Sequence, residues 1–318
     1  MNNISSASFP ILNIPIQTST FNAIPCYQRF QWLNSDIIAK TLAKFLKPNS
    51  KGRKGYDKIW MFKWLIYKYL MNCSYRDLES MTSIDYSTFI KFRKRLIRKL
   101  WFPRIFKQLV DVVVSKRGSL SLLIDSSFVQ TYSKHDERGS EYSGFKEKTG
   151  FKLHSVIDYK TRLPLLQTTT GGARSDIILG RNLIRGAPKK WKKKVDMVAA
   201  DKGYDAEDFV LQIRRKFKNA KVAIPPRLMN QKLLTPKCYK LLKELGRCMD
   251  KRIFNKRTEI ERYFSRKKRV FNLGEERTRH LKNFRNNCYM TSVMEILEWL
   301  SKDNHLWVLF TRLLSRCR

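Results

Sequence analysis

Ser119-Leu-Ser-Leu-Leu-Ile-Asp125-Ser-Ser-Phe-Val-Gln-Thr-Tyr132 is a short, apolar, strand-like run with one carboxylate set in its middle. Before it the chain reads as helix, and after it the periodicity switches to that of strands. Phe151-KLHSVIDY alternates and reaches a turn at Lys160-TR, and Leu163-PLLQTTTGG returns as its antiparallel partner. Ser175-DIILGRNLI is helical, with Ser175 as N-cap. Val195-DMVAAD is a second buried strand, followed by a helix over about 206–217, a short strand at Lys221-VAIPP, and a strong helix over about 252–272. Tyr289 to Leu314 reads as a largely apolar helix pair that packs on the sheet. The order predicts an α/β fold: an RNase H-like mixed five-stranded sheet flanked by helices.

Upstream, residues 1–34 are rich in Ser, Thr, Asn and Pro and read as an extended N-terminal arm. Residues 35–116 read as an all-α, helix-turn-helix-like domain, and 117–318 as the catalytic domain with its C-terminal helices. Asp57-Lys-Ile-Trp opens a long helix to Met71; Ser74-YRDLESM and Tyr86-STFIKFRKRLIRKL follow, separated by Thr82-SIDY. Two helices across a tight polar turn, the second basic, fit DNA recognition. Lys91, Arg93, Lys94, Arg95 and Arg98 would then contact DNA, though a small bundle with a solvated basic face has the same pattern.

Charge supports a polyanionic partner. The chain carries 65 Lys and Arg against 27 Asp and Glu, a net of +38, which folding alone gives no reason to carry. The six cysteines form no CxxC pair and the four histidines are dispersed, so a metal would sit on carboxylates. No stretch approaches the roughly 18 apolar residues of a membrane span, and the N-terminus lacks a basic n-region. The expected location is cytoplasmic and nucleoid-associated, with no membrane partner.

Three carboxylates are the candidate catalytic and metal-ligating set. A buried, unpaired Asp125 would cost several kcal/mol, roughly, or neutralise; a bound cation removes that penalty, while a strand-end capping role remains the plain alternative. Asp201 ends its strand, and Asp205 with Asp208 already offers a cap for the next helix, which leaves Asp201 free for a ligand. The third acid is Glu259 or Glu261. On a continuous helix, Phe254, Arg257, Glu261 and Lys268 share an arc of about 60° beside the apolar stripe of Ile253, Ile260, Phe264 and Phe271. Glu259 falls about 160° away, with Lys256, Tyr263 and Val270, on the solvent side. Glu261 is therefore the choice, with a surface pair to Arg257 as its ordinary alternative. Three carboxylates suit two Mg²⁺ ions, with Mn²⁺ substituting, for in-line phosphodiester chemistry. Arg257 and Lys268 would grip phosphates. His154 and Lys152, on a strand near this site, read as structural.

The pattern resembles prokaryotic insertion-sequence transposases of the DDE superfamily, in the branch of insertion sequence families four and five. That branch carries Tyr, two residues, Arg, three residues, Glu, six residues, Lys; here it reads Phe254-NK-Arg257-TEI-Glu261-RYFSRK-Lys268, with Phe for Tyr. ADKGYD around Asp201 and LLIDSS around Asp125 are similar to the other acidic blocks, and the likeness extends from about 52 to 285. It implies an enzyme that binds terminal inverted repeats of double-stranded DNA, cuts the element ends and transfers the 3′-hydroxyl to target DNA as a dimer or larger assembly. Phe254 keeps an aromatic face for stacking on a base but loses the tyrosine hydroxyl. Two rivals remain: a domesticated relative that binds without cutting, and a different RNase H-like nuclease. Nicking and strand transfer separate them.

Overall fold

In the computed structural model, residue 24 and residues 27–46, 55–131, 138–225, 251–275 and 279–302 are described. The basic segment at 226–250, most of the N-terminal arm and everything after 302 lie outside the described residues.

Local signals in the helical region read through into structure. Helix α1 spans Asp36–Ala43, and α2, Lys58–Met71, starts where Asp57 accepts from the Trp60 N–H. Helix α3, Tyr75–Thr82, opens on a capping box in which Ser74 and Asp77 satisfy each other's backbone N–H groups. Helix α4, Tyr86–Arg98, starts at Asp85, whose carboxylate accepts from the Ser87 N–H. Helix α5, Trp101–Ser115, leads into the sheet. The end of the presumed arm is not extended: Gln28–Asn34 form a 3-10 helix with Phe30, Trp32 and Leu33 buried. Those apolar side chains gain more from the core than from solvent.

The sheet has six strands, one more than the sequence predicts. They are β1 (Leu120–Gln130), β2 (Glu141–Ser143), β3 (Lys148–Asp158), β4 (Pro164–Gly171), β5 (Val195–Ala200) and β6 (Lys221–Ala223). The order is β2-β3-β1-β5-β6, with β4 also on β3. β1 and β4 pair antiparallel with β3, whereas β5 runs parallel to β1 and β6 parallel to β5. The additional strand, β2, has three residues and no apolar alternation to reveal it; pairing with β3 makes it a strand.

Helices α6 (Asp176–Gly186) and α7 (Glu207–Lys216) pack on one another beside the sheet. The predicted helix at 252–272 is two pieces, α8 (Lys251–Asn255) and α9 (Thr258–Arg269). Between them the Lys256, Arg257, Glu259 and Ile260 N–H groups each donate to the carbonyl three residues earlier. Such tightened turns rotate the second helix relative to a continuous α-helical wheel. The expected C-terminal pair is, over its described part, a single helix, α10 (Leu281–Lys302). It packs on α5 and β4, so one apolar core runs from the N-terminal helices onto the sheet.

Candidate active site

Asp125 and Asp201 are neighbours because their strands are. Ile124 pairs with Ala200 in the parallel β1–β5 ladder, and each aspartate is the next residue. Both therefore stand at the carboxyl end of the parallel pair, the usual ligand edge of an α/β sheet. Burial lifts the Asp125 carboxyl to about 7; the Ser126 N–H opposes this, while the charges of Asp201 and Asp176 add to it and Arg257 subtracts. Asp201 accepts from the Gly203 N–H at 2.8 Å and caps the 3-10 turn Lys202–Tyr204. The expectation that Asp205 caps the next helix does not hold: Ala206 is the N-cap of α7, and no side chain caps it. Asp201 thus has a local structural partner as well.

Glu261 reaches the same region through Arg257. The guanidinium lies 3.0 Å from a Glu261 oxygen and 3.9 Å from Asp125 Oδ2, bridging the strand and helix acids. Glu261 remains 55% exposed, whereas Glu259 is 12% exposed and held by Arg162 and Arg262. The reason given for setting Glu259 aside needs correction, since its supposed solvent face is partly core. Tyr263 is buried with Ile260 and Phe264: three residues after Ile260 on α9, it lies only about 60° from that apolar position. Phe254 is half-buried against this same cluster, on the far side of the break. Lys268 Nζ donates to the Phe128 carbonyl at 3.0 Å, and burial, then Lys146, depresses its pKa.

The sequence reading missed Asp176 and Tyr204. Asp176, the first residue of α6, receives Lys152 Nζ at 3.3 Å and faces His154 Nδ1 at 3.5 Å. Burial pushes His154 down to about 4, against the pull of Asp176, so the ring is neutral and structural, donating to or accepting from Thr170 Oγ1 at 2.8 Å. Tyr204 is buried within the fields of Asp125, Asp176 and Asp201, and its ring packs so closely on Gly180 that a Cβ there would sit 2.8 Å from Cε1. The usable signal was Ser175-Asp176 at a helix start, which read only as a cap.

On α4, Lys91, Lys94, Arg95 and Arg98 are exposed along one side, above the buried Phe89, Phe92, Leu96 and Ile97. Arg93 points differently and donates to Asn287 Oδ1 of α10 at 2.8 Å. Among the described residues, no three acidic, histidine or cysteine side chains converge closely enough to ligate one ion. Also among them, no helix is long and apolar enough to cross a membrane.

An antiparallel β4-β3-β1 run continued by parallel β5 and β6, flanked by helices and with one carboxylate inside β1 and one just after β5, defines the RNase H-like fold of DDE transposases. The sequence match agrees: residues 116–294 match the family described as Transposase DDE domain, and the chain belongs to it. Among solved structures the chain is similar to the piggyBac transposase in its synaptic complex with hairpin DNA. The TM-score is 0.50 at 12% identity, over 86% of this chain and 74% of that one. The Mos1 mariner paired end complex with Mn aligns over 70% and 81% of the two chains at 12% identity, but its TM-score of 0.20 adds no support. Comparison with curated proteins gives no match.

Proposed function

We propose that this transposase binds the terminal inverted repeats of its own element, cuts the phosphodiester at each end and joins the freed 3′-hydroxyl to target DNA. In the first step a water oxygen bonds to phosphorus and the bond to the 3′ oxygen breaks. In the second, that 3′ oxygen bonds to a target phosphorus and displaces the target strand's own 3′ oxygen. The observation that carries this reading is the side-by-side placement of Asp125 and Asp201 where the parallel β1–β5 ladder ends, with Arg257 joining Asp125 to Glu261.

The donor chemistry fits a hard divalent cation. The site offers carboxylate oxygens, and the negative field of Asp201 and Asp176 on desolvated Asp125 is what a cation would relieve. Asp125 and Asp201 would hold Mg²⁺ or Mn²⁺, two ions in all, with Glu261 as third donor. When bound, such ions activate the attacking oxygen and stabilise the leaving one. Arg257 and Lys268 supply positive charge for the phosphates beside the cut. The exposed row Lys91, Lys94, Arg95 and Arg98 supports duplex binding by α4, the second helix of the helix-turn-helix. Arg93, already engaged with Asn287, is dropped from that set. Acting on two ends together requires at least a dimer.

The test is a strand-transfer assay with the element's own terminal oligonucleotide and supercoiled plasmid in Mg²⁺, comparing wild type with Asp125→Asn and Glu261→Gln. Joined product from wild type alone supports the assignment. Binding without joining by the wild type returns the non-cutting rival. Equal joining by Glu261→Gln removes Glu261 from the site.

A further inference from the structure

Phe145 is the most exposed large apolar side chain among the described residues, at 89%, and Tyr142, three residues earlier, is 59% exposed. Leaving a phenylalanine in water forgoes about 1.5–3 kcal/mol of burial, so the fold gives no reason for it. Both lie on the β2–β3 hairpin, whose four-residue turn is Gly144-Phe145-Lys146-Glu147.

This hairpin is held firmly at its base. The Lys146 N–H donates to the Ser143 carbonyl at 3.1 Å, closing the turn. Glu141 receives the Ala173 N–H at 3.2 Å and Arg174 Nε at 3.0 Å, tying β2 to the loop after β4. Gly150 and Gly172 let the Phe128 ring lie against the backbone; a Cβ at either would come within 2.7 Å of it. The aromatic at the tip is thus presented by a fixed support, which lowers the ordering cost of using it.

Its surroundings are basic. Lys146 lies over the Phe145 ring, with Nζ 4.8 Å from the centroid, and Lys148 is exposed on the adjoining strand. The charge of Lys146 is felt at Lys268, which is bonded to Phe128 three residues beyond Asp125. A line of cations therefore leads from Arg257 through Lys268 to the hairpin. Ser155 faces Asp125 across β1–β3, and Lys148 is seven residues before Ser155. At about 3.4 Å per residue that separation is about 24 Å, the length of about seven base pairs of duplex.

We infer that the β2–β3 hairpin is a second DNA contact, in which Phe145 inserts at a base step of the end duplex about seven base pairs from the cut and Lys146 and Lys148 hold the flanking phosphates. An exposed apolar wedge flanked by cations is what a duplex can accept by partial unstacking. The inference rests on the proposed end-binding function and adds a site to it. Together with α4 the hairpin would bind the same duplex at two points and fix the phosphate to be cut.

The test uses the full chain as Glu261→Gln, so that cutting does not interfere, and a duplex of the element's terminal sequence with a fluorescent adenine analogue placed at successive positions from the end. The parent is expected to raise fluorescence at one step near the seventh pair. Phe145→Ala should abolish that rise and weaken binding about tenfold, with unchanged thermal unfolding, while Phe145→Trp retains both. Lys146→Ala and Lys148→Ala should each lower the salt slope of binding by about one. Equal affinity and fluorescence in the parent and Phe145→Ala overturn the hairpin contact and leave end binding intact. A parent that prefers the terminal duplex no more than a random one overturns end binding, and the hairpin contact with it.

Discussion

Replacing Lys267 by Met removes half of a fully buried ion pair. Lys267 Nζ lies 3.0 Å from Glu295 Oε2, the two side chains are 0% and 4% exposed, and the ammonium also donates to Thr291 Oγ1 at 3.0 Å and Ser292 Oγ at 2.9 Å. Burial drives the two pKa values toward neutrality, Lys267 down and Glu295 up. Breaking such a pair strands one charge and costs about 3–5 kcal/mol, whereas replacing both partners by apolar groups of similar volume is close to neutral. Because α9 carries Glu261 and α10 lies on β4, the pair also fixes the phase of the helix beside the site. Lys267→Met is expected to lower the urea midpoint by about 1 M or more, taking a slope of about 3 kcal/mol/M. Lys267→Met/Glu295→Met should recover most of that loss. In the single variant Glu295 can escape its penalty by taking a proton, so the loss is small below its ordinary pKa, grows as pH rises towards the raised folded value and levels off above it. A single variant within about 1 kcal/mol of wild type at pH 8, or a double variant no more stable than the single, would refute this reasoning.

Further expectations concern the site and the DNA-facing helix. Asp125→Asn should stabilise the metal-free protein: with a folded pKa of about 7 against an ordinary 3.8, the carboxylate costs nothing below the lower value and its full penalty above the upper. The thermal midpoint difference should open between those pH values and then level off, and a midpoint that falls at every pH contradicts the assignment. Mn²⁺ should raise the midpoint of wild type but not of this variant. Gly180→Val, which drives side-chain atoms into the Tyr204 ring, should cut strand transfer at least tenfold by displacing the ring beside Asp125, Asp176 and Asp201; unchanged joining would mean that Tyr204 positions nothing. Lys94→Ala/Arg95→Ala should lower the salt slope of end binding by about two, whereas Arg93→Ala should reduce stability through Asn287 and leave the slope alone. The reverse pattern in titrations would exchange their roles.

The sequence itself determined whatever is encoded within a few residues. Capping at Asp57, Ser74 and Asp85, the alternation of β3 and the apolar runs of β1 and β5 are local signals, and each element forms where they place it. Asp125 and Asp201 were legible because one interrupts and the other ends an apolar run, and Glu261 because it lies beside the apolar stripe of its helix. Tertiary structure alone decided which local options won. β2 exists through pairing with β3, Arg93 turns to an asparagine 194 residues away, and Lys267 sits in the core because Glu295 meets it there. The break between α8 and α9 likewise escaped a wheel drawn at a constant angle. Burial and charge pairing depend on neighbours distant in sequence, and no local period or cap records which neighbour folding brings.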